Sequence, residues 1–298
     1  LCNTVATWAE SGVMKDQNRY KPIRPARRRS LDIRRVRYNV TEWGDPAAPT
    51  FFYLHGFADA GATFQFVADA LQNDWHVVAP DWRGFGDSTI DCTSYWFPDY
   101  LADLHELLEI YTPGEPARIV GHSMGANVGG LYAGTMTERV RAFVNVEGFG
   151  LPDSDSDDAP QRYRRWLEQL HAQAVFTTYG DMASLAERIA KRNPLLSPAH
   201  ADFVARAWGR EREDGQVELR ADPRHKLPNP VLYRRAEAKA CWDRITASVL
   251  LVSGSASDFP RSAAAGERVE IAGAGHMLHF DAPAELAAVV EAFLSKYL

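Results

Sequence analysis

Apolar residues along this chain switch repeatedly between two periods. Short β-branched or aromatic runs at 50–54, 75–79, 118–120, 140–146 and 249–252 leave no polar face, the pattern of strands buried on both sides. Two earlier runs, 31–36 and 38–43, read as a further pair of strands closed by the turn cluster Gly44-Asp45-Pro46. Between the runs, residues 63–71, 100–111, 124–136 and 283–297 carry apolar side chains at helical spacing. Strands alternating with helices imply right-handed crossovers and a mostly parallel sheet covered by helices on both faces. The predicted fold class is therefore α/β.

The alternation stops after Glu147. An acidic, turn-rich stretch, residues 152–160, is followed by helix-like segments at 161–173, 182–192 and 198–210 with no strand between them. This pattern predicts an inserted helical cap over 149–230, ending in the proline-rich passage 222–230. A helix around 233–245 then leads back to the strand at 249–252. The core accordingly falls into two parts, 28–148 and 231–298. Residues 1–27 lack clear periodicity and end in the basic run 24–29, which reads as an exposed arm.

With 46% hydrophobic and 24% charged residues over 298 positions, the chain can bury one large core. A formal charge of -6 gives no electrostatic reason to bind nucleic acid. Cys2, Cys92 and Cys241 are odd in number and widely spaced, which supports neither a disulfide framework nor a zinc site. Without a long apolar run or a leader-like start, the expectation is a cytoplasmic protein with no membrane partner, monomeric or homodimeric.

The chemistry concentrates at Gly121-His-Ser-Met-Gly125, a G-x-S-x-G pattern between a predicted strand and a predicted helix. That setting is what a nucleophile elbow requires, because a tight turn projects Ser123 above the strand ends. His55-Gly56-Phe57 follows the strand at 50–54. Phe57 N–H and Met124 N–H are candidate donors to a tetrahedral oxyanion, with His55, Gly56 and His122 supporting them from behind. His276, in a glycine-rich turn before the last helix, is the candidate base, and its neighbour His279 is the rival.

Together with Asp81-Trp-Arg-Gly-Phe-Gly-Asp-Ser88, which reads as a structural loop beneath the site, these segments resemble the α/β-hydrolase superfamily and occur in its order. The resemblance covers residues 31–298. It implies an eight-stranded, mostly parallel sheet with a cap inserted after the sixth strand. Most members carry the triad acid in a G-x-x-D pattern after the strand at 249–252, but Gly254-Ser-Ala-Ser257 places serine there and moves the carboxylate to Asp258. Members resembling the haloalkane dehalogenase and coelenterazine luciferase branch instead carry a glutamate after the sixth strand. Glu147 matches that position, so it is the preferred acid and Asp258 the alternative.

The expected activity is cofactor-free and metal-free hydrolysis of a small-molecule ester or thioester through an acyl-enzyme. A carbon–carbon bond hydrolase or amidase on the same triad is the alternative within enzymes, and a non-catalytic receptor of the same fold the alternative outside them. Serine at position 123 argues against halide displacement and epoxide opening, since branches of the superfamily doing those reactions use aspartate there. Trp166, Phe176, Tyr179 and Trp208 in the cap are candidate walls of the substrate pocket.

Overall fold

Eight strands share one sheet, whose central strands contribute apolar side chains to both faces. The structure, a computed structural model, describes residues 19–89, 95–171 and 174–298. The sheet contains β1 (Arg27–Ile33), β2 (Val36–Trp43), β3 (Thr50–Leu54), β4 (His76–Pro80), β5 (Ala117–His122), β6 (Val140–Val146), β9 (Ser248–Gly254) and β10 (Glu267–Ile271). Their order is β1-β2-β4-β3-β5-β6-β9-β10. β2 pairs antiparallel with both β1 and β4, and every other pairing is parallel.

Alternation along β3 divides the core. Phe52 and Leu54 face a cluster shared with α2 (Phe97–Tyr111) and α3 (Met124–Thr135), against which α7 (Arg235–Trp242) packs Trp242. Phe51 and Tyr53 face the opposite cluster, shared with α1 (Gln65–Ala70), α8 (Leu278–Asp281) and α9 (Pro283–Leu294). The strand ends that carry the candidate site are thus gripped from both sides.

The segment after β6 is helical, as its composition predicts. It holds α4 (Ala159–Gln169), α5 (Met182–Arg192) and α6 (Pro198–Trp208). Asp181 and Ser197 cap the last two, each accepting from a backbone N–H in the first turn. α5 and α6 bury Leu185, Ile189 and Val204 against Phe66 and Phe280 of the core, whereas α4 buries no residue.

Three expectations need correction. A hairpin, β7 (Gly209–Glu211) with β8 (Val217–Leu219), follows α6 where only helix and loop were predicted. Its strands are three residues long, too short for a periodic pattern to register. The basic run is largely exposed, yet its end belongs to the sheet, because β1 already starts at Arg27 and pairs along its length with β2. Upstream of it, Tyr20 packs edge-on against Phe66 and Phe203 and donates its hydroxyl to Asp69, which also accepts from Arg24 N–H at 2.6 Å. The predicted helix at 161–173 ends at Gln169, and residues 172 and 173 lie outside the described residues. So do Cys2 and Cys92, while Cys241 is a free thiol. No helix among the described residues is long and apolar enough to cross a membrane.

Candidate active site

Ser123 sits between the last residue of β5 and the first of α3, with φ 51° and ψ -113°. A side chain rarely tolerates that backbone, and the turn is possible because its flanks are bare. A Cβ on Gly121 would lie 2.6 Å from Ala126 Cα, and one on Gly125 2.1 Å from Leu54 O. The turn is held by Ser123 N–H donating to Val146 O at 2.9 Å and by Asn127 N–H donating to Ser123 O at 3.0 Å.

His276 Nε2 stands 3.1 Å from Ser123 Oγ, and His276 Nδ1 stands 3.2 Å from Glu147 Oε2. A carboxylate only accepts, so Nδ1 carries the proton and Nε2 presents its lone pair to the hydroxyl. Glu147 follows β6 directly and also has a left-handed backbone, φ 56°. Its N–H donates to Val252 O at 2.9 Å. Gly254 N–H donates to its Oε1 at 2.9 Å and Ser257 Oγ to its Oε2 at 2.7 Å. Burial alone would raise this carboxyl's pKa. The hydrogen bonds from His276, Ser257 and Gly254 outweigh it and hold the group below its ordinary value.

Asp258, the alternative acid, is exposed and has no hydrogen bond to His276. The serine that departs from the family pattern, Ser257, instead orients Glu147.

Phe57, Ser123 and Met124 line one cavity of about 330 Å³. Neither Phe57 N–H nor Met124 N–H reaches an acceptor among the described residues. His55 is fully buried and braces the turn, accepting from Trp82 N–H at 2.8 Å on Nε2 and donating from Nδ1 to Gly56 O at 2.7 Å. Its burial lowers its pKa, which suits a neutral ring that must accept. His122 donates from Nε2 to His276 O at 2.9 Å, and it too is held neutral by burial. The 81–88 loop has the structural role predicted for it. Asp81 accepts from Gly61 N–H, and Arg83 forms a buried ion pair with Asp103 at 2.5 Å.

Of the four cap aromatics proposed as pocket walls, Trp166 alone lines this cavity. Phe176 lies under the Lys226 ammonium, 4.1 Å away, and Tyr179 pairs through its backbone with Val217. Trp208 packs on Phe280 and donates its indole N–H to Asp59. Trp208 thus ties the cap to the core, whereas these partners of Phe176 and Tyr179 belong to the cap itself. The remaining wall comes from residues that motif reading passed over, chiefly Trp96, Phe97, Phe149, Arg224 and His225. His225 lies stacked 3.9 Å from Phe85 and 3.5 Å from Tyr95, and burial pushes its pKa down to about 4.

Comparison with known proteins adds an independent line. A family model described as alpha/beta hydrolase fold matches residues 49–283. A serine hydrolase-like protein of Danio rerio is 30% identical over 224 residues, 70% of this chain and 66% of that protein. The 3-hydroxybutyrate-oligomer hydrolase of Cupriavidus necator is 27% identical over 281 residues, 88% of this chain and 93% of that protein. Among solved structures, a thioesterase domain from the curacin biosynthetic pathway superposes with a TM-score of 0.81 at 25% identity, covering 90% of this chain and 99% of that one.

Proposed function

Because the chain belongs to the α/β-hydrolase fold family, we propose that it is a serine hydrolase cleaving a carboxylic ester or thioester through an acyl-enzyme. In this reading Ser123 Oγ attacks the substrate carbonyl while His276 Nε2 takes its proton. Glu147 keeps the imidazole in the reactive tautomer and stabilises the imidazolium that forms. The N–H groups of Phe57 and Met124 receive the negative oxygen, an interaction made fully only in the tetrahedral state. His276 then returns the proton to the departing alcohol or thiol, and a water activated by the same imidazole releases the acid.

The observation that carries the reading is the 3.1 Å approach of His276 Nε2 to Ser123 Oγ beside a cavity of about 330 Å³. The aromatic walls at Trp96, Phe97, Phe149 and Trp166 favour a partly apolar acyl or alcohol group. The likeness to a thioesterase domain and to an oligomer hydrolase keeps both leaving-group classes in view. The test is Ser123→Ala, which should abolish both p-nitrophenyl ester turnover and labelling by a fluorophosphonate. Full retention of either in the purified variant refutes the assignment.

A further inference from the structure

Beneath the site lies a second carboxylate–imidazole pair with no part in the chemistry above. His279 Nε2 is 3.1 Å from Asp59 Oδ2, and both side chains are 1% exposed. Asp59 Oδ1 accepts three more hydrogen bonds at 2.8 Å, from Ala60 N–H, Thr63 Oγ and the Trp208 indole N–H of the cap.

The position of this hub in the chain is informative. Asp59 comes two residues after Phe57, across Ala58, whose φ is 57°. A left-handed non-glycine residue persists only where its surroundings hold it, and the anchored carboxylate supplies that hold. His279 comes three residues after His276, on the short helix α8. The loop between β10 and α8 is fastened again by Gly275 N–H donating to Asp281 at 2.9 Å. His122, next to the nucleophile, closes the arrangement, with ring centroids 4.7 Å from His279 and 4.9 Å from His276. The loops carrying nucleophile, oxyanion donor and base therefore meet at one buried group.

Stability alone is a weak reason for such a pair. Exchanging a buried ion pair for apolar residues is often neutral or stabilising. The donor atoms of Asp59, His122 and His279 come within 4.8 Å of one another, a loose spacing for a metal. Nδ1 of His122 and of His279 has no partner among the described residues, but both oxygens of Asp59, the one anionic group of the three, are already engaged in hydrogen bonds. That leaves geometry as the function.

We propose that Asp59 and His279 are positioning residues of this hydrolase, fixing from below the turn that presents Phe57 N–H and the loop that presents His276, with Trp208 tying the cap to the same carboxylate. The proposal rests on the serine-hydrolase reading. Burial works against the Asp59 charge, but the hydrogen bonds from His279 and Thr63 hold the carboxyl well below its ordinary range.

The experiment measures kcat and KM for a p-nitrophenyl ester, with each protein normalised to the sites labelled by a fluorophosphonate. For Asp59→Asn and for His279→Gln, kcat per labelled site should fall roughly 10- to 100-fold with KM within about 3-fold, the cost of sub-ångström misplacement of donor and base. The double variant should lose no more than the worse single one, because the two residues act as a unit. Trp208→Phe, at a partly exposed cap position, should lose about 3-fold in kcat by removing one donor. Unchanged kcat per labelled site with only a lower Tm means a purely structural pair and overturns the proposal. If the Asp59 and His279 variants do not fold, an unchanged kcat in Trp208→Phe overturns it. Ser123→Ala run alongside tests the serine-hydrolase reading separately, so a failure of one is not mistaken for a failure of the other.

Discussion

Glu147–His276 and Asp59–His279 use the same chemistry at nearly the same separation, 3.2 Å and 3.1 Å, in different surroundings. His276 keeps 21% of its side chain exposed and turns its second nitrogen to Ser123. His279 keeps 1%, and its second nitrogen has no partner among the described residues. A carboxylate beside an imidazole therefore says nothing by itself about a base. What distinguishes the two is the third atom, a hydroxyl in one case and a sealed interior in the other. The second nitrogen of His276 faces the Ser123 hydroxyl beside a cavity, whereas that of His279 faces a closed interior.

The largest effect that tests this contrast is on the imidazoles themselves. His276→Gln should lower kcat on the order of 10⁴- to 10⁶-fold, the scale of removing a triad base. A loss of equal size in His279→Gln would break the distinction, and steady-state kinetics on the two variants decides it. Next come the acids. Glu147→Gln should lower kcat roughly 10²- to 10⁴-fold, whereas Asp258→Asn should leave it within about 2-fold. If Asp258→Asn alone loses kcat, Glu147 is not the acid.

A smaller effect is the response of folding to acid. Asp59 and Glu147 both have folded pKa values below their ordinary ones, so the unfolded chain binds more protons. Their contribution is complete above about pH 5 and is lost as pH falls through the depressed folded values. Urea midpoints at pH 5 and pH 3 should accordingly differ less in Asp59→Asn than in the wild type. An identical difference would mean that Asp59 is not held in its charged form. The smallest effect concerns His225, kept neutral between two rings. With a folded pKa of about 4 against 6.5 in the open chain, its contribution is present above 6.5 and lost as pH falls toward 4. His225→Phe should flatten that portion of the stability profile, and an unaltered slope would show that His225 does not titrate in that window.

Much of this was legible in the chain because the physics is local. The runs that became β3, β5, β6 and β9 are buried on both sides, so their composition alone marks them. The elbow declares itself by glycines flanking a serine between strand and helix, whereas Glu147 is preferred over Asp258 only through the family resemblance. Other features depend on contacts that spacing does not encode. Asp59 and His279 are 220 residues apart. The cavity wall draws Trp96, Phe149 and His225 from three separate segments, while Phe176, Tyr179 and Trp208, equally aromatic, are spent on packing. An aromatic residue in a cap reads the same in sequence whether it faces a substrate or a helix. Ser257 is a third case, since a missing carboxylate in the family pattern reads as a defect until its hydroxyl is found on Glu147.

The left-handed backbone at both Ser123 and Glu147 sets two aims of protein engineering against each other. Each such residue costs on the order of 1–3 kcal/mol, which glycine would largely recover. A library sorted for heat resistance alone should therefore drift toward glycine at 123, whereas at 147 the buried hydrogen bonds of the carboxylate oppose that drift. The survivors would be sturdier and inert, so any search for a hardier variant has to reward turnover in the same round.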